Sequence, residues 1–155
     1  MQNDKIYSDM VGSLARTRFE ANMLLTEVEV LERSLFKIGE GDFESTLEKG
    51  VRAKTAYAMR QAIGQRKPEE ALAKLKEKIN SLTYLNLTVA FEPTLEAVNR
   101  FYIWAKQNAG EGVAIDLTVD KSILGGAIVE YKGRVSKTIL KEKLDDYFLN
   151  NHVNV

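Results

Sequence analysis

Apolar residues recur at every seventh position from Tyr7 to Ile38. One register reads Tyr7, Leu14, Ala21, Val28 and Leu35; the other reads Met10, Thr17, Leu24, Leu31 and Ile38. Such a repeat puts one seam along a helix, and that seam has to be covered by other helices. The positions between carry Arg16, Arg18, Glu20, Glu27, Glu29, Glu32 and Arg33, the pattern of a solvated face. Leu25 and Phe36 widen the stripe beyond a two-stranded seam, which points to a bundle. Thr17 is its one plainly polar member. Arg16 and Glu20 stand four apart in the weaker order for a helical ion pair. The expectation is one long helix, ended at Gly39-Glu40-Gly41, where glycine accepts a left-handed cap.

Asp42 is a natural N-cap for a second helix, and Ser45-Thr46-Leu47-Glu48 offers a competing capping box. That helix is expected to run to about Ile63, carrying Leu47, Val51, Ala58 and Ala62, and to stop at Gly64. Lys67-Pro68-Glu69-Glu70 opens a third, with proline in the first turn and acids at the positive end of the dipole. Leu72, Leu75, Ile79 and Leu82 form its inner face. Residues 1–82 are thus expected to form a helical domain, a bundle or long hairpin of three helices.

The pattern changes at Thr83. Leu85, Leu87, Val89 and Phe91 alternate with Asn86, Thr88 and Ala90, as in a half-buried strand. Glu92-Pro93-Thr94 breaks it and begins a helix with Leu95, Val98, Phe101, Tyr102 and Ala105 inward. A strand from Val113 to Val119, a turn over Asp120 to Gly126, and a strand from Ala127 to Tyr131 follow. A Lys132-Gly133 turn, a short strand near Arg134-Val135 and a last helix capped by Thr138 complete the pattern. That helix would carry Ile139, Leu140, Leu144, Tyr147 and Phe148. Residues 83–155 are therefore expected to form a small β-α-β-β-α domain, and the fold class is α+β.

Few residues here do chemistry. Cysteine is absent, which removes disulfides, thiolate nucleophiles and cysteine metal sites. His152 is the single histidine and lies in the polar tail, so a histidine-based triad or metal site would have to be built there. Asp116, Asp120 and Glu130 form an acidic group near the turn. Asp116 and Glu130 fall on the polar side of alternating strands, and Asp120 suits a bond to its own turn backbone, so a solvated face is favoured over a carboxylate enzyme site. Gly125-Gly126 lacks both a following helix and the spacing of a phosphate loop. No cofactor or metal is expected.

Lys+Arg and Asp+Glu both number 22, so net charge does not direct the chain toward nucleic acid. Locally, Lys49, Arg52, Lys54, Arg60, Arg66 and Lys67 form a run with no acid between Glu48 and Glu69. It reads as a solvated basic face, with an acidic protein partner or a nucleic-acid adaptor role as alternatives. Phe101, Tyr102 and Trp104 cannot all face one core at about 100° per residue, so either aromatic area near Trp104 faces outward, a partner-contact signal, or a wide core face buries it. The N-terminal residues lack a basic region followed by an apolar core, and no apolar run approaches the roughly 20 residues of a membrane span.

The second half carries an ordered set of motifs. Leu87-Thr88-Val89-Ala90-Phe91-Glu92-Pro93-Thr94-Leu95 is a strand with alanine and proline ahead of a helix. Val119-Asp120-Lys121-Ser122-Ile123-Leu124-Gly125-Gly126 is a turn ending in two glycines, and Ile128 to Leu144 follows with a strand, a glycine turn and a late leucine. Over about the last 70 residues this resembles the C-terminal part of the F-type ATP synthase delta subunit, the oligomycin-sensitivity-conferring protein family. Ser136 stands where that family has an aspartate, and Thr138 where it has a serine. The family's six-helix N-terminal bundle is longer than residues 1–82. The E-type peripheral-stalk protein of V/A-type ATPases is a related possibility, but the Asp120 to Gly126 spacing favours delta.

The resemblance implies a non-catalytic stator subunit, held at the cytoplasmic side of the cell membrane only through its complex. It would bind the alpha subunit of the catalytic head and the b subunit of the peripheral stalk, with no nucleic acid and no small-molecule substrate. Asp120, Ser122, Gly125 and Gly126 would then shape a structural turn. Leu24, Leu31, Leu35, Arg52, Lys54 and Trp104 are the residues expected to touch partners.

Overall fold

Two helices, not one, carry the seam that starts at Tyr7: α1 (Gln2–Leu14) and α2 (Arg18–Ser34). The break is made by Thr17 and Glu20. Thr17 is extended (φ −119°, ψ 160°), and its hydroxyl accepts the Glu20 amide at 3.1 Å. The Glu20 carboxylate accepts the Arg16 amide and guanidinium, each at 2.9 Å. Side chains thus satisfy amides that a continuous helix would have bonded internally. The seam's polar member is the N-cap of a new helix.

The computed structural model describes residues 2–39, 41–64, 66–123 and 125–139. They form a mixed α/β chain of six helices and one four-stranded sheet, divided into two compact units, Met1–Thr83 and Tyr84–Val155.

In the first unit, Tyr7, Met10, Leu14, Ala21, Leu24, Val28 and Leu31 are buried as the repeat requires. The repeat then outlasts the helix. α2 ends at Ser34, and the expected stripe residues Phe36 and Ile38 stand 87% and 101% exposed. Three further helices follow: α3 (Phe43–Lys49), α4 (Ala53–Ile63) and α5 (Pro68–Asn80). Asp42 caps α3 through a 2.9 Å bond from the Ser45 amide, so it prevails over the capping box beginning at Ser45. The expected second helix is two helices, parted at Gly50-Val51-Arg52, and the unit holds five described helices where the pattern implied three. Gly64, at φ +48°, ends α4, and Pro68 sits in the first turn of α5. Leu47, Met59, Leu72, Leu75 and Ile79 close the core against the seam.

In the second unit, β1 (Thr83–Val89) leads through α6 (Leu95–Ala109) to β2 (Val113–Val119), then β3 (Gly126–Tyr131) and β4 (Arg134–Ile139). The strand order is β2-β1-β3-β4. β3 is antiparallel to both β1 and β4, with Leu87 opposite Val129 and Val129 opposite Ser136. The sheet is mixed and its other two pairs are antiparallel, so the β1–β2 pair is parallel, and α6 supplies the crossover that a parallel pair needs. Leu85, Leu87, Val89, Val113 and Ile115 share a core with Ala105 of α6, and Phe101, Tyr102 and Ala109 pack against it. Leu95, expected inward, is 85% exposed, and Phe91 lies past the end of β1 and is 57% exposed.

The hairpin after β3 turns through Lys132 and Gly133, both at positive φ, the geometry that matches strand twist. β4 is longer than its expected counterpart. Thr138 pairs with Ala127 and Ile139 with Gly126, so no helix begins at Thr138: the β-branched residues there continue the ladder. The remainder of the expected last helix, with Leu144, Tyr147 and Phe148, and His152 of the tail, fall outside the described residues.

Candidate functional site

Among the described residues, one place that combines specific geometry with exposed surface is the connection from β2 to β3. The chain leaves β2, crosses the end of β1 and starts β3 on its far side. The Asp120 amide donates to the Val89 carbonyl at 2.8 Å, pinning the turn to the end of β1. The Asp120 carboxylate then accepts the Ser122 amide at 2.9 Å and the Ser122 hydroxyl at 2.6 Å. These two bonds, the hydroxyl's first, hold the Asp120 carboxyl below its usual range although it is exposed. Gly125 and Gly126 follow at φ +83° and +99°, where a side chain is disfavoured. Asp120, Ser122, Gly125 and Gly126 thus each have a backbone reason for their place.

Another is a groove of about 560 Å³ between α1 and α4. Ile6, Asp9, Met10, Ser13 and Leu14 line one side, and Lys54, Tyr57, Ala58 and Gln61 the other. Tyr57 is 69% exposed. The surface lining it along two helices is mostly apolar, with Asp9, Ser13, Lys54 and Gln61 as polar members, a shape and chemistry suited to the apolar face of an amphipathic third helix.

The residues expected to touch partners are distributed differently. Leu24 and Leu31 are fully buried and serve the unit's own core, so they present no surface; the seam is satisfied within the chain. Leu35 is partly buried against the same core. Arg52 is held by Glu27 through its amide at 2.9 Å and its guanidinium at 2.7 and 2.8 Å. Lys54 stands 3.9 Å from Glu20 and lines the groove. Trp104 is 45% exposed beside Ile103 at 47%, which leaves outward apolar area on α6.

The basic run is therefore not one face. α2 supplies acids to Arg52 and Lys54, while Arg66 lies over the Tyr7 ring, 6.0 Å from its centroid. Glu27 does not belong to a solvated face: it is 9% exposed and also accepts the Thr55 hydroxyl at 2.7 Å. Burial pushes its carboxyl up, but the Arg52 and Thr55 bonds and the Arg52 charge outweigh that and hold it below the usual range. Glu20 behaves alike: burial raises it, and Arg16, aided by Lys54, draws it lower. A signal for Glu27 was present in its place next to the seam residue Val28, and one for the α1–α2 break in the Thr17-x-x-Glu20 spacing.

Asp116 and Glu130 are not brought together. β1 stands between their strands, a backbone separation of about 10 Å at two sheet spacings. No group of acids and histidines able to hold a metal ion occurs among the described residues, and no described helix is long and apolar enough to cross a membrane. No protein-family model matches the sequence, and no curated protein matches it.

Proposed function

We propose that this chain is a non-catalytic stator subunit of the F-type ATP synthase delta class, linking the catalytic head to the b-subunit stalk. The observation that carries this reading is the turn at residues 119–126. Its aspartate, serine and paired glycines each answer a backbone demand where the chain crosses from β2 over β1 to β3. A motif that resembles the family's therefore occurs in a setting that explains its residue types.

The head contact lies in the helical unit, at the α1–α4 groove rather than along the seam, because the seam is consumed by the core. The mostly apolar lining suits an amphipathic helical segment of the alpha subunit. The α/β unit receives the end of the b subunit, with Trp104 and Ile103 offering exposed apolar area. Attachment to the cytoplasmic side of the membrane is through the complex. A nucleic-acid adaptor has less support, since Arg52 and Lys54 of the basic run face Glu27 and Glu20.

Calorimetric titration of the purified chain tests the proposal, with one peptide from the N-terminal end of the alpha subunit and another from the C-terminal end of the b subunit. Saturable binding of both, at separate sites, is the expected result. Binding of neither removes the reading.

A further inference from the structure

Among the helices of the first unit, α4 combines little apolar burial with concentrated polar attachment. Its buried residues are Thr55, Ala56, Met59 and Ala62, so Met59 is its one large fully buried side chain. α5, by contrast, buries Leu72, Leu75 and Ile79, and α2 buries Leu24, Val28 and Leu31. Apolar stabilisation scales with the area removed from water, so alanines anchor a helix far less than leucines do.

α4 also lies between two interruptions of the backbone, at Gly50-Val51-Arg52 and at Gly64 with φ +48°. Its N-cap residue, Arg52, makes no side-chain bond to the first-turn amides. The carboxylate of Glu27, on α2, acts there instead: it accepts the Arg52 amide, the guanidinium twice and the Thr55 hydroxyl, all within 2.9 Å. It places a negative charge at the positive end of the α4 dipole. One residue of α2 thus bonds the start of α4 four times.

We infer that α4 is a leaf that opens as a unit, hinged at Gly50 and Gly64 and latched by Glu27. Opening moves one wall of the α1–α4 groove, since Lys54, Tyr57, Ala58 and Gln61 belong to that helix. The latch does not depend on which partner the groove receives. In free-energy terms the leaf is a sub-global opening, separate from unfolding of the helices that carry the leucine core.

Native-state hydrogen exchange on the full chain, at neutral pH over a series of low denaturant concentrations, tests the latch. In the wild type, amides of α4 are expected to exchange through an opening less dependent on denaturant than that of α2 and α5. Glu27→Gln is expected to accelerate α4 exchange about 10- to 100-fold, as loss of charged hydrogen bonds implies. Thr55→Val, which removes one of the bonds, is expected to do so about 3- to 10-fold. A single denaturant dependence shared by α2, α4 and α5 in the wild type overturns the inference. So does an unchanged exchange rate for α4 in the Glu27→Gln protein. The wild-type series decides the matter by itself if that variant does not fold.

Discussion

Glu27 and Arg52, 25 residues apart in the chain, are joined by a backbone bond of 2.9 Å and two guanidinium bonds of 2.7 and 2.8 Å. The pair ties α2 to the start of α4. It also explains why residues 43–63 do not continue as one helix: the Arg52 amide is bonded to α2 instead of to a preceding turn.

Glu27→Ala is expected to destabilise the helical unit by about 3 kcal/mol, because it leaves Arg52 and Thr55 without their partner in a largely buried setting. The pH dependence has a definite sign. The folded-state carboxyl lies below its ordinary value of 4.5, so its stabilisation is complete above that value and is lost as pH falls through the depressed one. Urea midpoints followed by helical circular dichroism should decline below about pH 4.5 in the wild type, and less steeply in Glu27→Gln. Equal acid slopes in the two proteins would remove Glu27 from the account.

Leu31 and Ile38 occupy the same phase of the seven-residue repeat but not the same environment: 0% and 101% exposed. Leu31→Ala is expected to cost about 2–5 kcal/mol, and Ile38→Ala less than about 0.5. Comparable losses in the two variants would mean that the seam continues past Ser34.

Gly125→Ala places a side chain at φ +83° and is expected to cost about 1–2 kcal/mol. Trp104, the single tryptophan, lies on α6 and reports the α/β unit. Its fluorescence midpoint in urea should fall, while helical signal from the first unit holds. An unchanged tryptophan midpoint would show that the turn tolerates a side chain there.

Tyr57→Ser and Leu24→Ala separate groove from core. Tyr57 is 69% exposed, so its replacement is expected to leave stability within about 0.5 kcal/mol. If the groove receives the alpha-subunit peptide, the same change should weaken that binding about tenfold or more, as loss of an interface aromatic does. Unaltered affinity would move the contact elsewhere. Leu24→Ala should show the opposite pattern, with lost stability and little specific effect on affinity.

Much of the architecture was legible from local signals. Asp42, Thr94, Gly64 and Pro68 mark helix ends in the sequence and do so in the structure. The alternation of Leu85, Leu87 and Val89 produced a strand with those residues buried. Where two local signals competed, periodicity misled. The repeat passed through Thr17 and beyond Ser34, yet the Thr17 cap and the end of α2 interrupted it.

The sequence by itself determined the division into a helical part and a sheet-bearing part, because periods near 3.6 and 2 are set by residue order alone. It also determined the turn at Asp120, whose bonds to Ser122 span two residues. The tertiary structure decided which charged residues are exposed, since Glu27 and Arg52 meet only when α2 and α4 pack. It decided that Leu24 and Leu31 are core, that Asp116 and Glu130 stay apart across β1, and that a groove opens between α1 and α4. Caps and periodicities act within a few residues, whereas burial and ion pairing depend on which distant segments are brought together.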